Sequence, residues 1–264
     1  MYIDTAGTYR SGTGNHTIHD IFIYGSNTVN LTSGLTTVTG SRAGAAANSA
    51  WIFSQSGFNF DANGGTVNFT DTSADQLLYS GYATVTFTFN NIFVTKGTNS
   101  LRYKENQGFN LIVNNLTITS GTFDTSDTQN KSWNLNATDT ITVSGKLIGN
   151  WANVTAGAFI INQNGLYNAT NATTLLNGAA TISGNYTAGV STLKTSTAST
   201  GVRITSTGNM TVIGTSSAYA HMTRRDADSG TWLLTVERGA FTNFTYVNMT
   251  YVNATWNASA TILY

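Results

Sequence analysis

A pair of carboxylates is the usual equipment for acid–base cleavage of a glycosidic bond, and the chain can assemble a set of carboxylates beside basic groups. Counted from the bulky strand residues Phe58, Phe87 and Phe109, Asp75 stands 17 residues on, Lys104 17, Glu105 18 and Asp127 18; Arg102 and Asp124 both stand 15 on. If those anchors open equivalent repeats, the six gather on one outer face, with Asp75, Glu105 and Asp127 as the acid–base candidates. The competing reading is a solvated stripe of complementary charges at a turn, each pair worth about 0–1 kcal/mol. That reading is preferred and leaves no catalytic residue assigned.

Other chemistry is sparse. There are three histidines and no cysteine, and His16 and His19 stand three apart near Asp20 in a Gly-rich, then strand-like stretch, so a metal site is not expected. The run from His221 through Arg224, Arg225, Asp226 and Asp228 to Glu237-Arg238 lies in a long final repeat. It is either a self-paired surface turn or a protruding contact for a neighbouring subunit or an acidic glycan. No phosphate-binding glycine loop and no nucleophile–base motif is present. The tyrosines and tryptophans are spread out, giving no visible sugar-stacking platform. No cofactor is expected beyond covalent N-glycans.

Those glycans have many acceptors. Asn-x-Ser/Thr occurs fifteen times, at Asn15, Asn30, Asn68, Asn115, Asn130, Asn136, Asn153, Asn168, Asn171, Asn185, Asn209, Asn243, Asn248, Asn253 and Asn257. With thirty asparagines in the chain, chance would give about eight or nine. Asn, Thr and Ser also favour turns and surface ladders, so part of the excess can be a by-product of fold. The functional reading is dense N-glycosylation of a surface protein from an archaeal or eukaryotic host, the hydrated coat replacing the solubility that charge normally supplies. Strand positions such as Asn68 and Asn115 are the ones expected to be hidden.

The elements that must position these residues are strands. Alternating triplets such as Phe109-Asn-Leu, Leu116-Thr-Ile and Ile141-Thr-Val carry the period of two, and helix signals are almost absent. The anchors Phe58, Phe87, Phe109, Trp133, Phe159, Ile182, Val202 and Trp232 recur at spacings of 29, 22, 24, 26, 23, 20 and 30 residues. Turn formers at Asn63-Gly64, Ser120-Gly121, Asn164-Gly165 and Asn177-Gly178 separate three short strands per repeat. The absence of proline suits a backbone paired above and below. The expected fold is an all-β, right-handed parallel β-helix of about 20–27-residue coils, each burying a face it cannot bury alone. A β-sandwich is the alternative. The expected organisation is a less regular β region over 1–57, serving as cap, arm or interface, and a solenoid over 58–264.

Segments Phe109 to Asp124 (FNLIVNNLTITSGTFD) and Thr231 to Leu263 resemble coils of secreted right-handed parallel β-helix proteins, including repetitive surface proteins and adhesins. The resemblance spans roughly Phe58 to Leu263. It implies a fold more than an activity, because polysaccharide lyases, glycoside hydrolases and viral tailspikes share it.

Composition narrows the partners. Charged residues make up 9% of the chain, with 12 basic and 12 acidic residues scattered singly, so neither nucleic acid nor an anionic membrane finds an electrostatic footprint. No apolar run approaches the roughly 20 residues of a spanning helix. Met1 to Arg10 lacks the features of a signal peptide, so the expectation is a removed leader or an excerpt of a longer chain. Together with the sequons and the absence of an obvious polar cap at Ala260 to Tyr264, this predicts an extracellular structural glycoprotein at a cell or virion surface. It would join copies of itself end to end or laterally as a filament, sheath, surface-layer subunit or adhesin stalk. The alternatives are a carbohydrate-active enzyme or tailspike, and a glycan-binding adhesin.

Overall fold

In an extended chain alternate side chains face opposite ways, so apolar residues at every second position commit one side to an interior. The computed structural model describes residues 2–3, 8–23, 28–42, 49–53, 59–80, 85–104, 109–125, 134–198, 201–257 and 261–263. The elements among the described residues are all strands, and strand after strand pairs in parallel with its counterpart one coil later. This is a parallel β-helix. A β-sandwich is excluded, because its sheets are antiparallel. No helix among the described residues is long and apolar enough to cross a membrane.

The chain forms two compact units, Met1–Leu135 and Asn136–Tyr264. In the first, Val38, Phe69, Val94 and Ile118 are successive register partners, all buried. Ile21, Trp51, Leu78 and Tyr103 form another buried ladder. The edge of one aromatic ring meets the face of the next where Trp51 approaches Phe89 at 5.2 Å and Phe60 at 5.8 Å. Within 1–57 the described strands already pair in parallel with their successors, for example Thr28–Asn30 with Asn59–Asp61. Anchor Phe58 lies outside the described residues.

The second unit has three ladders, one per side of the coil. Leu147, Tyr167, Tyr186, Met210 and Thr242 follow one another at separations of 20, 19, 24 and 32 residues. Val154, Thr174, Leu193, Met222 and Met249 form the second ladder, and Ile161, Ile182, Ile204, Val236 and Trp256 the third. The observed periods therefore bracket the expected one. Long coils absorb their extra residues at corners, as between Ile213 and Ala220, which leaves the ladders in register.

One corner is fixed by close approach. The N–H groups of Leu166, Asn185 and Asn209 bond to the carbonyls of Gly145, Gly165 and Gly184. A Cβ at Gly165 would stand 2.1 Å from the Val143 carbonyl oxygen, at Gly184 2.2 Å from that of Asn162, and at Gly208 2.1 Å from that of Ile182. Only glycine fits this column.

Candidate functional site

The anchored count placed Asp75, Arg102 and Asp124 on one face of successive coils, and the structure brings these three together. Arg102 is the register partner of Asp124, with Nε 3.9 Å from its Oδ2, and Arg102 Nη2 stands 3.0 Å from Asp75 Oδ2. The other Asp75 oxygen accepts the Ser100 N–H at 2.7 Å. Both oxygens of Asp75 are thus engaged in joining coils. Glu105, Asp127 and the side chain of Lys104 lie outside what is described, so the full set of six is not on view.

Behind this face lies a residue that the charge count passed over. Lys96 is completely buried, and its Nζ donates to the Asp71 carbonyl at 2.5 Å and to Gln76 Oε1 at 2.9 Å. Gln76, also fully buried, donates through Nε2 to the Gly40 carbonyl at 2.6 Å. Burial pulls the Lys96 ammonium down to about 8, against the opposing pull of Asp71 and Asp75. Burial also acts to raise the Asp71 carboxyl, but the hydroxyl and N–H of Ser73, at 2.6 and 2.8 Å, outweigh it and hold the group below its ordinary value. The signal was legible in the sequence, because Lys96 shares the parity of Ile92 and Val94, both buried.

His16 and His19 do not converge. His16 Nε2 lies 3.0 Å from the Ser11 carbonyl oxygen, while His19 Nδ1 lies 3.0 Å from Asp20 Oδ2. Asp20 is bound in turn by Arg42 at 2.9 Å. Among the described residues no group of three or more His, Cys, Asp or Glu side chains could hold a metal ion.

The charged run His221 to Asp228 binds to itself and to coils on either side. Arg225 grips Asp228 through two bonds of 2.7 and 3.2 Å and reaches Asn177 Oδ1 at 2.7 Å. Asp228 also accepts the Thr197 N–H at 2.9 Å. The Arg225 bonds lead in lowering the Asp228 carboxyl to about 2. Asp226 pairs with Lys194 at 2.7 Å, and Arg224 lays its guanidinium 4.0 Å from the Tyr251 ring centre.

The sequons follow one structural rule. Fourteen of the fifteen asparagines are described, Asn130 being the exception, and none is buried; Asn15, Asn153, Asn185, Asn248, Asn253 and Asn257 are exposed and the rest half-buried. In ten of them the middle residue is buried, from Leu31 through Phe69, Leu116 and Tyr186 to Phe244. The period of two turns that residue inward and sends Asn and Thr out together. In three sequons the Thr hydroxyl donates to its own Asn Oδ1, at 2.6 Å for Thr170–Asn168, 3.3 Å for Thr211–Asn209 and 3.0 Å for Thr245–Asn243. Asn68 and Asn115 are half-buried, and Asn115 Nδ2 donates to Asn91 Oδ1 at 3.0 Å in a ladder between coils.

An open groove of about 460 Å³ runs over the second unit. Its floor includes the outward ladder Thr173, Thr192, His221 and Asn248, and its sides include Val190, Ser217 and Tyr219. No Asp, Glu, Lys or Arg lines it. Comparison of the chain with protein-family models, with curated proteins and with solved structures finds no match.

Proposed function

We propose that the chain is a non-catalytic structural glycoprotein of an extracellular surface, a filament, sheath or surface-layer subunit or the stalk of an adhesin. The observation that carries this reading is the stretch Leu147 to Leu193, 47 residues without one Asp, Glu, Lys or Arg. A charge-free surface of this length lacks the usual safeguard against association. Four sequons, Asn153, Asn168, Asn171 and Asn185, stand outside the core along it. Sugars there would supply the missing hydration.

Self-assembly is part of the same proposal. A coil satisfies half of its strand N–H and C=O groups with the next coil, so a solenoid end is a pairing surface for a further coil, of a second copy or of the same polypeptide. Electron microscopy of the native particle tests this: copies joined into filaments or sheets are expected, and dispersed monomers would overturn it.

A carbohydrate-active enzyme is the second reading, favoured by the juxtaposition of Asp75, Arg102 and Asp124. It predicts polysaccharide cleavage abolished by Glu105→Gln with Asp127→Asn. Absence of cleavage by the native chain removes that reading from this face.

A further inference from the structure

Six aromatic side chains are exposed among the described residues: Phe93, Trp151, Tyr219, Phe241, Tyr246 and Tyr251. Four of them, Trp151, Phe241, Tyr246 and Tyr251, stand two residues before the sequon asparagines Asn153, Asn243, Asn248 and Asn253, with exposures of 42%, 37%, 48% and 54%. Arg224 lies over the ring of Tyr251; displaying a large ring to water forgoes the gain of burying it, so the recurrent placement calls for something to cover the other rings. The face of a pyranose presents a patch of C–H groups that covers an aromatic ring, and each of these asparagines is an acceptor for one.

The arrangement is most complete around Asn248. This exposed residue lines the groove, directly beyond His221 in the outward ladder. Tyr219 lines the same groove, and its ring meets that of Tyr246 edge to face at 6.1 Å. Tyr219 is positioned from behind. The Gly214 N–H bonds to the Thr245 carbonyl, and Thr215 and Ala218 exchange N–H···O=C bonds of 2.8 and 3.2 Å that close the turn carrying Tyr219. Tyr246 holds φ at 52° and Tyr251 at 56°, the left-handed region that bulky side chains avoid. Backbone of this kind persists where the surroundings fix it and recurs where a ligand is met.

We propose that the N-glycan carried by Asn248 lies in this groove, its first pyranose packed against Tyr219 and Tyr246, and that it stabilises the coil as well as coating it. The inference rests on the glycoprotein reading and adds to it a specific seat. Lining a groove with hydroxyl, amide and imidazole groups, and with no Asp, Glu, Lys or Arg, suits a neutral sugar, which needs hydrogen bonds and an apolar face.

The test is a double-mutant cycle on the full chain, secreted by insect cells and also made in a bacterial cytosol that adds no N-glycan. Thermal midpoints are measured for the parent, Tyr219→Ala, Asn248→Gln and the double variant, with glycopeptide mapping of the secreted forms. Tyr219→Ala is expected to lower the midpoint by about 3 °C more in the secreted chain than in the bacterial one, and Asn248→Gln to abolish that difference. An Asn248 left bare while other sequons carry sugar would overturn the seat and leave the glycoprotein reading standing. Full occupancy with the same Tyr219→Ala effect in both hosts would overturn it too. A secreted chain bare at every sequon would defeat both.

Discussion

Asp71–Thr125 and Leu147–Leu193 are built from the same parallel coils and both use glycine at close approach, a Cβ at Gly121 standing 2.5 Å from the Asn99 carbonyl oxygen, yet only the first adds charges at its corners. The first region, in the unit Met1–Leu135, spends its charges on joining coils: Lys96 and Gln76 are buried as a hydrogen-bonded pair, and Arg102 connects Asp75 with Asp124. The second, in the unit Asn136–Tyr264, carries no charge at all and brings backbones together through Gly165 and Gly184. Its buried hydroxyls pair with each other, as Tyr167 Oη does with Thr174 Oγ1 at 2.7 Å. A coil can thus be tied to its neighbour by ions or by close approach. The stretch without charges has a neutral outer face, on which four sequon asparagines stand outside the core.

The sharpest way to break the contrast is Gly184→Ala, which drives a methyl group into the Asn162 carbonyl. A loss of about 3–4 kcal/mol in chemical denaturation is expected, because neither backbone can yield without disturbing the ladder. Lys96→Met probes the opposite strategy. It strands two buried acceptors, the Asp71 carbonyl and Gln76 Oε1, for an expected loss of about 2–3 kcal/mol at pH 7.

Lys96 also gives the first region a rise of stability with pH, whereas burial raises the Tyr167 and Tyr186 hydroxyls of the second and acts in the opposite direction at alkaline pH. The folded pKa of Lys96, about 8, lies below the ordinary 10.5. Between those values the unfolded chain still holds a proton that the native state has released, so stability rises with pH in that window, by up to about 3 kcal/mol, and this contribution is flat below 8. Denaturation at pH 7.5 and pH 10 should show the rise in the parent and its loss in Lys96→Met. A rise of equal size in the variant would assign it to another group.

Smaller effects separate the regions further. Tyr167→Phe removes one hydroxyl from the neutral core and should cost about 1 kcal/mol, with no dependence on salt. Asp75→Asn weakens a half-exposed ion pair and should cost under about 1 kcal/mol, with the difference fading at 1 M salt.

Much of this was legible from parity. The period of two predicts the inward faces of Phe109–Asp124 and Asn153–Ile161, and it also places Lys96 inside, although a charge count treats it as a surface residue. Register was less legible. Phe87 stacks on Leu111 and Val202 on Leu234, each two residues beyond the expected anchor. A slip of two keeps every side chain on its own face, so the alternation cannot detect it. Arg102 and Asp124 were placed correctly because the register shifts between Val94, which pairs with Ile118, and Ser100, which pairs with Thr122, and that shift cancels the slip at the anchors. The pairing of Tyr219 with Tyr246 joins different coils across a corner of unpredictable length, and no local pattern announces it. The glycine column was half visible: Asn164-Gly165 reads as a turn, whereas the carbonyl that excludes a Cβ comes from Val143, in the preceding coil.

The central claim is that sugars replace charge on the neutral coils. Glycopeptide mapping of the chain isolated from its native surface tests it most directly. Glycan on Asn153, Asn168, Asn171 or Asn185, within the charge-free stretch, is the predicted result. Bare asparagine at all four would contradict the account.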